Sequence, residues 1–187
     1  MHILLLGPPG AGKGTQGAIL GKRTGLVRFA TGDLLRAAVE ADTELGRRAK
    51  AVMEAGELVS DEIILGVIRE QLDAPGASRG VIFDGVVRTI PQAEGMETLL
   101  AERGHTMDFV LFFDVDDKEL LARLEKRRTL EGRADDDPDA VQRRLAAYRE
   151  QTAPVLDWYE KQGLVRRISA TGPVDLISER VRAIVGW

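Results

Sequence analysis

The sequence contains no cysteine, which excludes disulfide bonds and cysteine-ligated zinc sites. No apolar run approaches the ~20 residues that a membrane-spanning helix requires. An excess of basic residues is also missing: the net charge is −4, whereas nucleic-acid binding requires a basic surface. The first residues, Met1 to Leu6, lack the basic start and long apolar stretch of a signal peptide. We therefore expect a soluble cytoplasmic protein without zinc and without a nucleic-acid or membrane partner. Separately from these observations, we expect it to act as a monomer.

Short apolar runs alternate with helix-periodic segments along a chain of 187 residues, which suits one domain with one substantial core. Runs without polar alternation are typical of strands in a parallel sheet that is covered on both faces. They lie at Ile3–Leu6, Val81–Phe83 and Val110–Phe113, and less clearly at Val27–Phe29 and Leu164–Ile168. The order predicts a doubly wound α/β fold, a five-stranded parallel sheet with helices on both faces.

The best-marked helix is predicted over about residues 138–161, with Asp137 as its N-cap and Pro138 in its first position. Its buried stripe is expected at Val141, Leu145, Tyr148, Thr152, Val155 and Tyr159. With ~100° of rotation per residue, Arg144 lies beside that stripe and Arg143 nearly opposite it. We therefore expect Arg144 at a cleft beside the core and Arg143 in solvent.

A glycine-rich segment, Gly7 to Thr15, follows the first predicted strand and leads into a helical pattern. It fits the G-x-x-x-x-G-K part of a P-loop, with the hydroxyl residue one place late. Glycines let successive N–H groups surround phosphate oxygens, the helix N-terminus adds positive potential, and a lysine adds a full charge near the β- and γ-phosphates. The segment predicts a P-loop NTPase-type sheet that binds the phosphates of a nucleotide through Gly10, Ala11, Gly12, Lys13, Gly14 and Thr15. A P-loop alone does not separate kinases from ATPases and GTPases.

Asp84 ends the strand that is predicted at Val81–Phe83. A carboxylate at the end of a buried strand beside a P-loop is typical of the group that holds Mg²⁺, often through water. We expect this role for Asp84. The alternative is an ordinary Asp-Gly turn at the end of a strand.

Five segments together resemble the adenylate kinase family, in the order and spacing of that family and across nearly the whole chain. They are Gly7–Gln16, Thr31–Arg36, Gly56–Val59, Asp84–Gln92 and Gly132–Asp136. The resemblance implies reversible transfer of the terminal phosphoryl group of Mg-ATP to AMP, which gives two ADP. It also implies two small mobile insertions, a monophosphate-binding segment at about residues 30–59 and a short lid at about residues 125–137.

The resemblance also implies roles for individual residues. Catalytic roles fall on Lys13, Arg88, Arg123, Arg127, Arg133 and Arg144, and ATP contacts on Arg123, Arg127 and the backbone of Gly172. The implied AMP site comprises Thr31, Arg36, Glu57, Leu58, Val59, Gly85, Arg88, Gln92, Arg133 and Arg144. Many fixed cations suit a reaction that brings two polyanions together, and arginine grips phosphate oxygens bidentately. The acceptor phosphate, with a second pKa near ~6, needs no general base.

Two acidic residues, Asp135 and Asp136, follow the short lid segment. We interpret them as anchors that hold lid arginines when the lid closes. A metal-binding pair is the alternative.

The sequence departs from the family at Val86-Val87, where relatives usually have an aromatic residue followed by proline. The bond before that proline is typically cis, and a cis bond between two valines would cost ~2.5–4 kcal/mol. We expect a trans bond and a loop that is less fixed than one held by proline. The departure raises the alternative of a nucleotide-binding module with impaired catalysis.

Within the kinase class the alternative is a UMP/CMP kinase. An amide side chain can bind N6 and N7 of adenine together, as asparagine and glutamine do on DNA. Gln92 suits this role, whereas the pyrimidine enzymes usually carry asparagine there and alanine in the place of Thr31. The pair Thr31 and Gln92 therefore favours AMP.

Overall fold

The computed structural model describes residues 1–55, 57–132 and 136–187. Its strands are Ile3–Leu6 (β1), Val27–Ala30 (β2), Val81–Asp84 (β3), Phe109–Asp114 (β4) and Val165–Ser169 (β5). Its α-helices are Lys13–Thr24 (α1), Thr31–Glu40 (α2), Glu44–Ala55 (α3), Asp61–Leu72 (α4), Ile90–Ala101 (α5), Asp117–Glu131 (α6), Pro138–Ala147 (α7), Ala153–Glu160 (α8) and Val174–Val185 (α9), and a 3₁₀ turn spans Pro75–Arg79. Each predicted strand is present, and its ends lie within one residue of the prediction. Within these ranges no helix is both long and apolar enough to cross a membrane.

The five strands form one sheet in the order β2-β3-β1-β4-β5, and all neighbouring strands are parallel. This confirms the predicted doubly wound α/β fold. Side chains of β1 alternate between the two faces, so that Leu4 and Leu6 join one hydrophobic cluster and Ile3 and Leu5 join the other. Because both faces are covered, the strand carries an unbroken apolar run rather than an alternating one.

Helices cover the two faces of the sheet unequally. Ile68 of α4, Met96 of α5 and Val155 of α8 pack in the cluster on one face, while Leu20 of α1 and Val181 of α9 pack in the cluster on the other. Since all strands are parallel, their carboxyl ends meet at one edge of the sheet. The loops at that edge are where ligands bind in open α/β sheets.

The helical run that begins at Pro138 contains an irregularity that the sequence analysis did not predict. A π turn at Tyr148–Thr152 separates α7 from α8. Pro154 explains it, because proline has no N–H and its ring crowds the carbonyl four residues earlier, so the regular α ladder cannot continue. The predicted cap is confirmed, since the Asp137 side chain accepts a hydrogen bond from the N–H of Asp139.

Candidate active site

The glycine-rich segment forms a loop between β1 and α1, at the carboxyl edge of the sheet. Gly10 and Gly12 have φ angles of 87° and 89°, in the left-handed region that favours glycine. A Cβ at Gly10 would also lie 2.9 Å from Cγ of Leu124, so a larger residue would clash with α6. No described side chain caps the first turn of α1. Gly12 and the first residues of α1, Lys13 to Thr15, line the cleft beside the loop, so the helix N-terminus suits an anion there.

Lys13 folds back over this loop. Its ammonium donates hydrogen bonds to the carbonyl oxygens of Gly7 and Pro8, at 2.7 and 2.8 Å. Burial lowers the pKa of Lys13 to about 7; the nearby Asp84 opposes this shift, and Arg88 and Arg144 add to it. Burial and the two arginines therefore disfavour the charged form of this lysine more strongly than the carboxylate of Asp84 favours it.

Two adjoining cavities open beside the loop. The larger, of about 620 Å³, extends along the P-loop toward α6 and α9. Among the predicted residues it is lined by Gly10, Gly12, Lys13, Gly14, Thr15, Arg36, Asp84, Gly85, Arg88, Arg123, Arg127, Arg144 and Gly172. The second lies under α2 and is lined by Thr31, Arg36, Glu57, Leu58, Val59, Gly85, Arg88, Gln92 and Arg144. The cavities share Arg36, Arg88 and Arg144, so three arginines stand where the two spaces meet.

Among the described residues, the predicted Ala11 and Asp136 are not found in these walls. Ala11 is buried in the core, and its N–H donates to the carbonyl oxygen of Pro8 rather than toward the cleft. Arg133 and Asp135 lie outside the described residues. All the other predicted site residues are brought together at the two cavities.

A buried carboxylate joins two of the predicted arginines. Asp136, whose side chain is 0% exposed, accepts two hydrogen bonds from Arg127 of α6 and one from Arg144 of α7. Among the described residues, no group of three or more acidic or histidine side chains is arranged to hold a metal ion. The three hydrogen bonds from Arg127 and Arg144 fit the interpretation of Asp136 as an arginine anchor.

The side chain of Arg123, on α6, reaches the loop that follows β5. Its guanidinium donates to the carbonyl oxygen of Ala170 at 2.7 Å and pairs with Glu119, one turn earlier on α6. Glu119 also accepts a long hydrogen bond, 3.4 Å, from the N–H of Gly172. Gln16 of α1 donates to the carbonyl oxygen of Val174, the first residue of α9. Two helices thus fix the loop that carries Gly172.

Gln92 lies at the start of α5 and is 1% exposed. Its Oε1 accepts a hydrogen bond from the N–H of Arg88, and its Nε2 donates to Asp61 Oδ1, both at 2.7 Å. Asp61 also accepts from the hydroxyl of Thr89 at 3.0 Å. Each amide atom of Gln92 keeps one further hydrogen-bonding position, which suits a ligand in the cavity that it lines.

The hydroxyl of Thr31, at the start of α2, is buried beside the same cavity. It makes no hydrogen bond within the described part of the chain. A buried hydroxyl without a partner is costly, so its position favours a polar group on a bound ligand.

The departure at Val86-Val87 is accommodated by packing. Both valines are 1% exposed and belong to the hydrophobic cluster that also contains Phe83 and Met96. The peptide bond between them is trans, as expected. Arg88 follows them, lines both cavities, and donates from Nε to the carbonyl oxygen of Gly85 at 2.9 Å.

Asp84 stands at the carboxyl end of β3, in the wall of the larger cavity beside Gly14. One of its oxygens, Oδ2, accepts from Nη2 and Nε of Arg28 at 2.5 and 3.1 Å. The other, Oδ1, accepts no hydrogen bond from a described residue. A hard oxygen ligand next to the P-loop fits Mg²⁺, which is usually held by one or two carboxylates, waters and substrate phosphates.

Sequence reasoning missed four residues that position this site: Gln16, Arg28, Asp61 and Glu119. Arg28 lies in a strand that was predicted without any functional residue. Asp61 and Glu119 lie in the first turns of α4 and α6, where acidic residues ordinarily complement the helix dipole. Only Gln16 lies inside a recognised segment. The side-chain hydrogen bonds of all four residues reach partners 28 or more residues away, apart from the pairing of Glu119 with Arg123 and of Arg28 with Asp33.

The parallel sheet, the phosphate loop at its carboxyl edge and the arginines between two cavities define a P-loop protein of the kinase type. A sequence model described as adenylate kinase matches residues 5–164. An adenylate kinase of Gemmatimonas aurantiaca is 45% identical over an alignment of 207 positions, which covers 97% of each chain. Adenylate kinases of Brucella anthropi and Brucella melitensis are each 44% identical over 191 residues, covering 99% of this chain and 98% of theirs. The chain belongs to the adenylate kinase family.

Proposed function

We propose that this protein transfers the terminal phosphoryl group of Mg-ATP to AMP and so produces two molecules of ADP, reversibly. The observation that carries this proposal is the meeting of two cavities at Arg36, Arg88 and Arg144, directly beside the P-loop lysine. Family membership at 44–45% identity supports the same reaction. A donor in the larger cavity and an acceptor in the smaller one would face each other across these cations.

The chemistry requires charge stabilisation rather than a base. A phosphate oxygen of AMP attacks the terminal phosphorus of ATP, the bond from that phosphorus to the β-phosphate oxygen breaks, and ADP leaves. The attacking oxygen already carries its charge, because the second pKa of a phosphate monoester is about 6. Arginine and lysine side chains that are held in place lower the barrier, because their positive charge stabilises the negative charge of the transferring phosphoryl group in the transition state.

The donor site in this proposal consists of the P-loop backbone, Lys13, Arg123, Arg127 and the loop at Gly172. Asp84 would hold Mg²⁺ through water, and the metal, when bound, neutralises charge on the ATP phosphates. Asp136 fixes Arg127 and Arg144 so that both reach the phosphates, and Arg133 completes the set in the lid.

The acceptor site is proposed to lie between α2 and the start of α5. Arg36 and Arg88 would hold the AMP phosphate, while Gln92 and Thr31 would contact adenine. The amide of Gln92 retains one donor and one acceptor position, the pair that N7 and N6 of adenine require. The pyrimidine enzymes usually carry alanine and asparagine in the places of Thr31 and Gln92, so this pair supports AMP and a UMP/CMP kinase is not favoured.

A binding module without catalysis is also not favoured. The valine pair that suggested it is packed in the core, and Arg88 still lines both cavities. The acceptor-side arginines would have no purpose in a protein that only senses ATP.

We further propose that residues 30–59 and 125–137 are the two segments that move when substrates bind. The first comprises α2 and α3, which pack on each other. The protein is proposed to act as a cytoplasmic monomer on ATP, AMP and ADP, without nucleic acid, membrane or zinc. The negative net charge supports the lack of a nucleic-acid partner, and the absence of cysteine supports the lack of a cysteine-ligated zinc.

A coupled assay for ADP tests the proposal. With Mg-ATP and AMP we expect two ADP per turnover, and with Mg-ATP alone almost none. ATP hydrolysis that does not depend on AMP would indicate an ATPase. Comparable rates on AMP, CMP and UMP would reject the acceptor assignment.

A further inference from the structure

Arg28, in β2, binds the carboxylate that is proposed for the metal. Its Nη2 lies 2.5 Å from Asp84 Oδ2, and its Nε lies 3.1 Å from the same oxygen. The side chains are 23% and 8% exposed, so the contact is largely shielded from water. One oxygen of Asp84 is thus already occupied by a cation of the protein itself.

We propose that Arg28 competes with the metal ion for Asp84 and thereby sets the metal concentration that the donor site requires. The inference rests on the proposed role of Asp84 in holding Mg²⁺. A guanidinium and a hydrated dication repel each other strongly in a partly buried site. Mg²⁺ also keeps its waters in near-octahedral geometry and needs room beside the carboxylate. Binding of the metal with ATP is therefore opposed as long as Arg28 stays on Oδ2, even if the metal approaches through Oδ1.

Arg28 has a second partner to which it can withdraw. Its Nη1 lies 2.9 Å from Oδ2 of Asp33, which is 54% exposed on the first turn of α2. Asp33 also pairs with Arg36 of the proposed acceptor site. Because Asp33 remains as a partner, release from Asp84 does not leave an unpaired charge in a shielded place, which would be costly.

The first turns of α1 make room for this arginine. A Cβ at Gly14 would lie 3.3 Å from Nη2 of Arg28, and a Cβ at Gly17 would lie 3.1 Å from its Nε. The guanidinium therefore lies against a face of α1 that has no side chains. This close fit holds Arg28 in the space between the P-loop helix and Asp84, where it meets an incoming metal ion.

The experiment measures metal affinity directly, with Mn²⁺ as the probe and its electron paramagnetic resonance signal as the readout, in the presence of ATP. For Arg28→Gln we expect the Kd of Mn²⁺ to fall by about fivefold or more. Removing the arginine removes the unfavourable coupling free energy between it and the bound metal. Arg69→Gln removes the same charge from an exposed site on α4 and should leave the Kd unchanged. Melting temperatures of the metal-free variants verify that each is folded.

A double-mutant cycle with Asp84→Asn separates the possible outcomes. If Arg28 acts through Asp84, Arg28→Gln has no effect on the Mn²⁺ Kd in the Asp84→Asn background. An equal effect in both backgrounds, or no effect in the native one, overturns the inference. If Asp84→Asn alone leaves the Kd unchanged, the proposed metal position fails and the inference fails with it. Weaker binding of metal-free ATP by Arg28→Gln, without tighter Mn²⁺ binding, would instead make Arg28 a phosphate ligand.

Discussion

The carboxylate of Asp136 accepts two hydrogen bonds from the guanidinium of Arg127, each 2.5 Å long. The same carboxylate accepts a third, of 2.9 Å, from Arg144 on the next helix. The two arginines are only partly exposed, at 26% and 17%, and Asp136 is fully buried. One carboxylate therefore fixes the relative position of two cations that face the cleft from different helices.

Replacing Asp136 by asparagine should harm both folding and turnover. Loss of one partner from a buried ion pair typically costs ~3–5 kcal/mol, so the urea midpoint should fall clearly. The turnover number should fall by about tenfold or more, because small misplacements of positioned groups cost up to ~100-fold. Urea unfolding and steady-state kinetics at saturating ATP and AMP measure the two effects.

Asp157→Asn, at an exposed position on α8, is the matched control. It should change neither the midpoint nor the turnover number. An Asp136→Asn protein with native turnover would show that the two arginines find their positions without this carboxylate.

Lys13 should take up a proton when ATP binds. Its ligand-free pKa is lowered to about 7, so at pH 8 most molecules carry a neutral lysine. Bound phosphates add negative charge next to the ammonium and raise that pKa again. Calorimetry of ATP binding at pH 8, in two buffers of different ionisation enthalpy, measures the number of protons taken up. The native protein should take up nearly one proton more on binding ATP than Lys13→Met does. Equal proton uptake by both proteins would contradict this role.

Lys13→Met should also stabilise the ligand-free protein while it reduces turnover. The folded-state pKa of about 7 lies below the ordinary 10.5, so between these values the unfolded chain binds more protons and native stability rises with pH. The stabilisation by Lys13→Met should therefore be largest below pH 7 and vanish above pH 10.5. Loss of a transition-state donor typically costs ~3–4 kcal/mol in the barrier. Thermal melts across this pH range and initial rates test the two effects.

The strands and the glycine-rich loop were predictable because each is encoded locally. Ile3–Leu6 is apolar without alternation, and the glycines and Lys13 follow it at fixed spacing. The π turn at Tyr148–Thr152 was missed although its cause, Pro154, is visible in the sequence. Apolar residues continue at helical spacing on both sides of the π turn, so the periodicity alone predicted one continuous helix.

The pairing of Arg28 with Asp84 was not predictable in the same way. The two residues are 56 positions apart, and only the adjacency of β2 and β3 brings them together. The register pairs Ala30 with Asp84, which places both strand ends at the same edge. Hydrogen-bond partners such as Asp61 for Gln92 likewise follow from tertiary packing, so sequence reasoning located the amide but not the group that orients it.

Gln92→Asn should weaken the preference for AMP. The shorter amide loses its reach to the N–H of Arg88 and to Asp61, both now 2.7 Å away, and therefore its orientation toward adenine. A bidentate amide contact contributes ~1–3 kcal/mol of base discrimination, so the ratio of kcat/KM for AMP to that for CMP should fall by about tenfold or more. Initial rates on both monophosphates measure this ratio, and the KM for ATP should change little.

Gln162→Asn shortens an exposed amide far from the cavities and serves as the control. Its AMP-to-CMP ratio should equal that of the native protein. An unchanged ratio in Gln92→Asn would mean that the adenine is recognised by other groups.

The loop at Val86-Val87 is held by packing and by two hydrogen bonds, so introducing proline should change little. Both valines are 1% exposed, and Arg88 is fixed by the side chain of Gln92 and by the carbonyl oxygen of Gly85. The N–H of Val87 makes no hydrogen bond to a described residue, so Val87→Pro removes none. We expect kcat/KM for AMP to stay within about threefold of the native value, whereas a loosely held arginine would gain up to ~100-fold from a rigid loop.

Val87→Ala is the control for this change, because it removes a similar amount of core packing without restricting the backbone. Comparing the two variants separates the loss of packing from the effect of proline. If Val87→Pro raised kcat/KM for AMP tenfold or more over both the native protein and Val87→Ala, with the KM for ATP unchanged, the valine loop would be the flexible part of the acceptor site. Packing alone would then not replace the proline that relatives carry, and the departure at this position would limit the rate of the native protein.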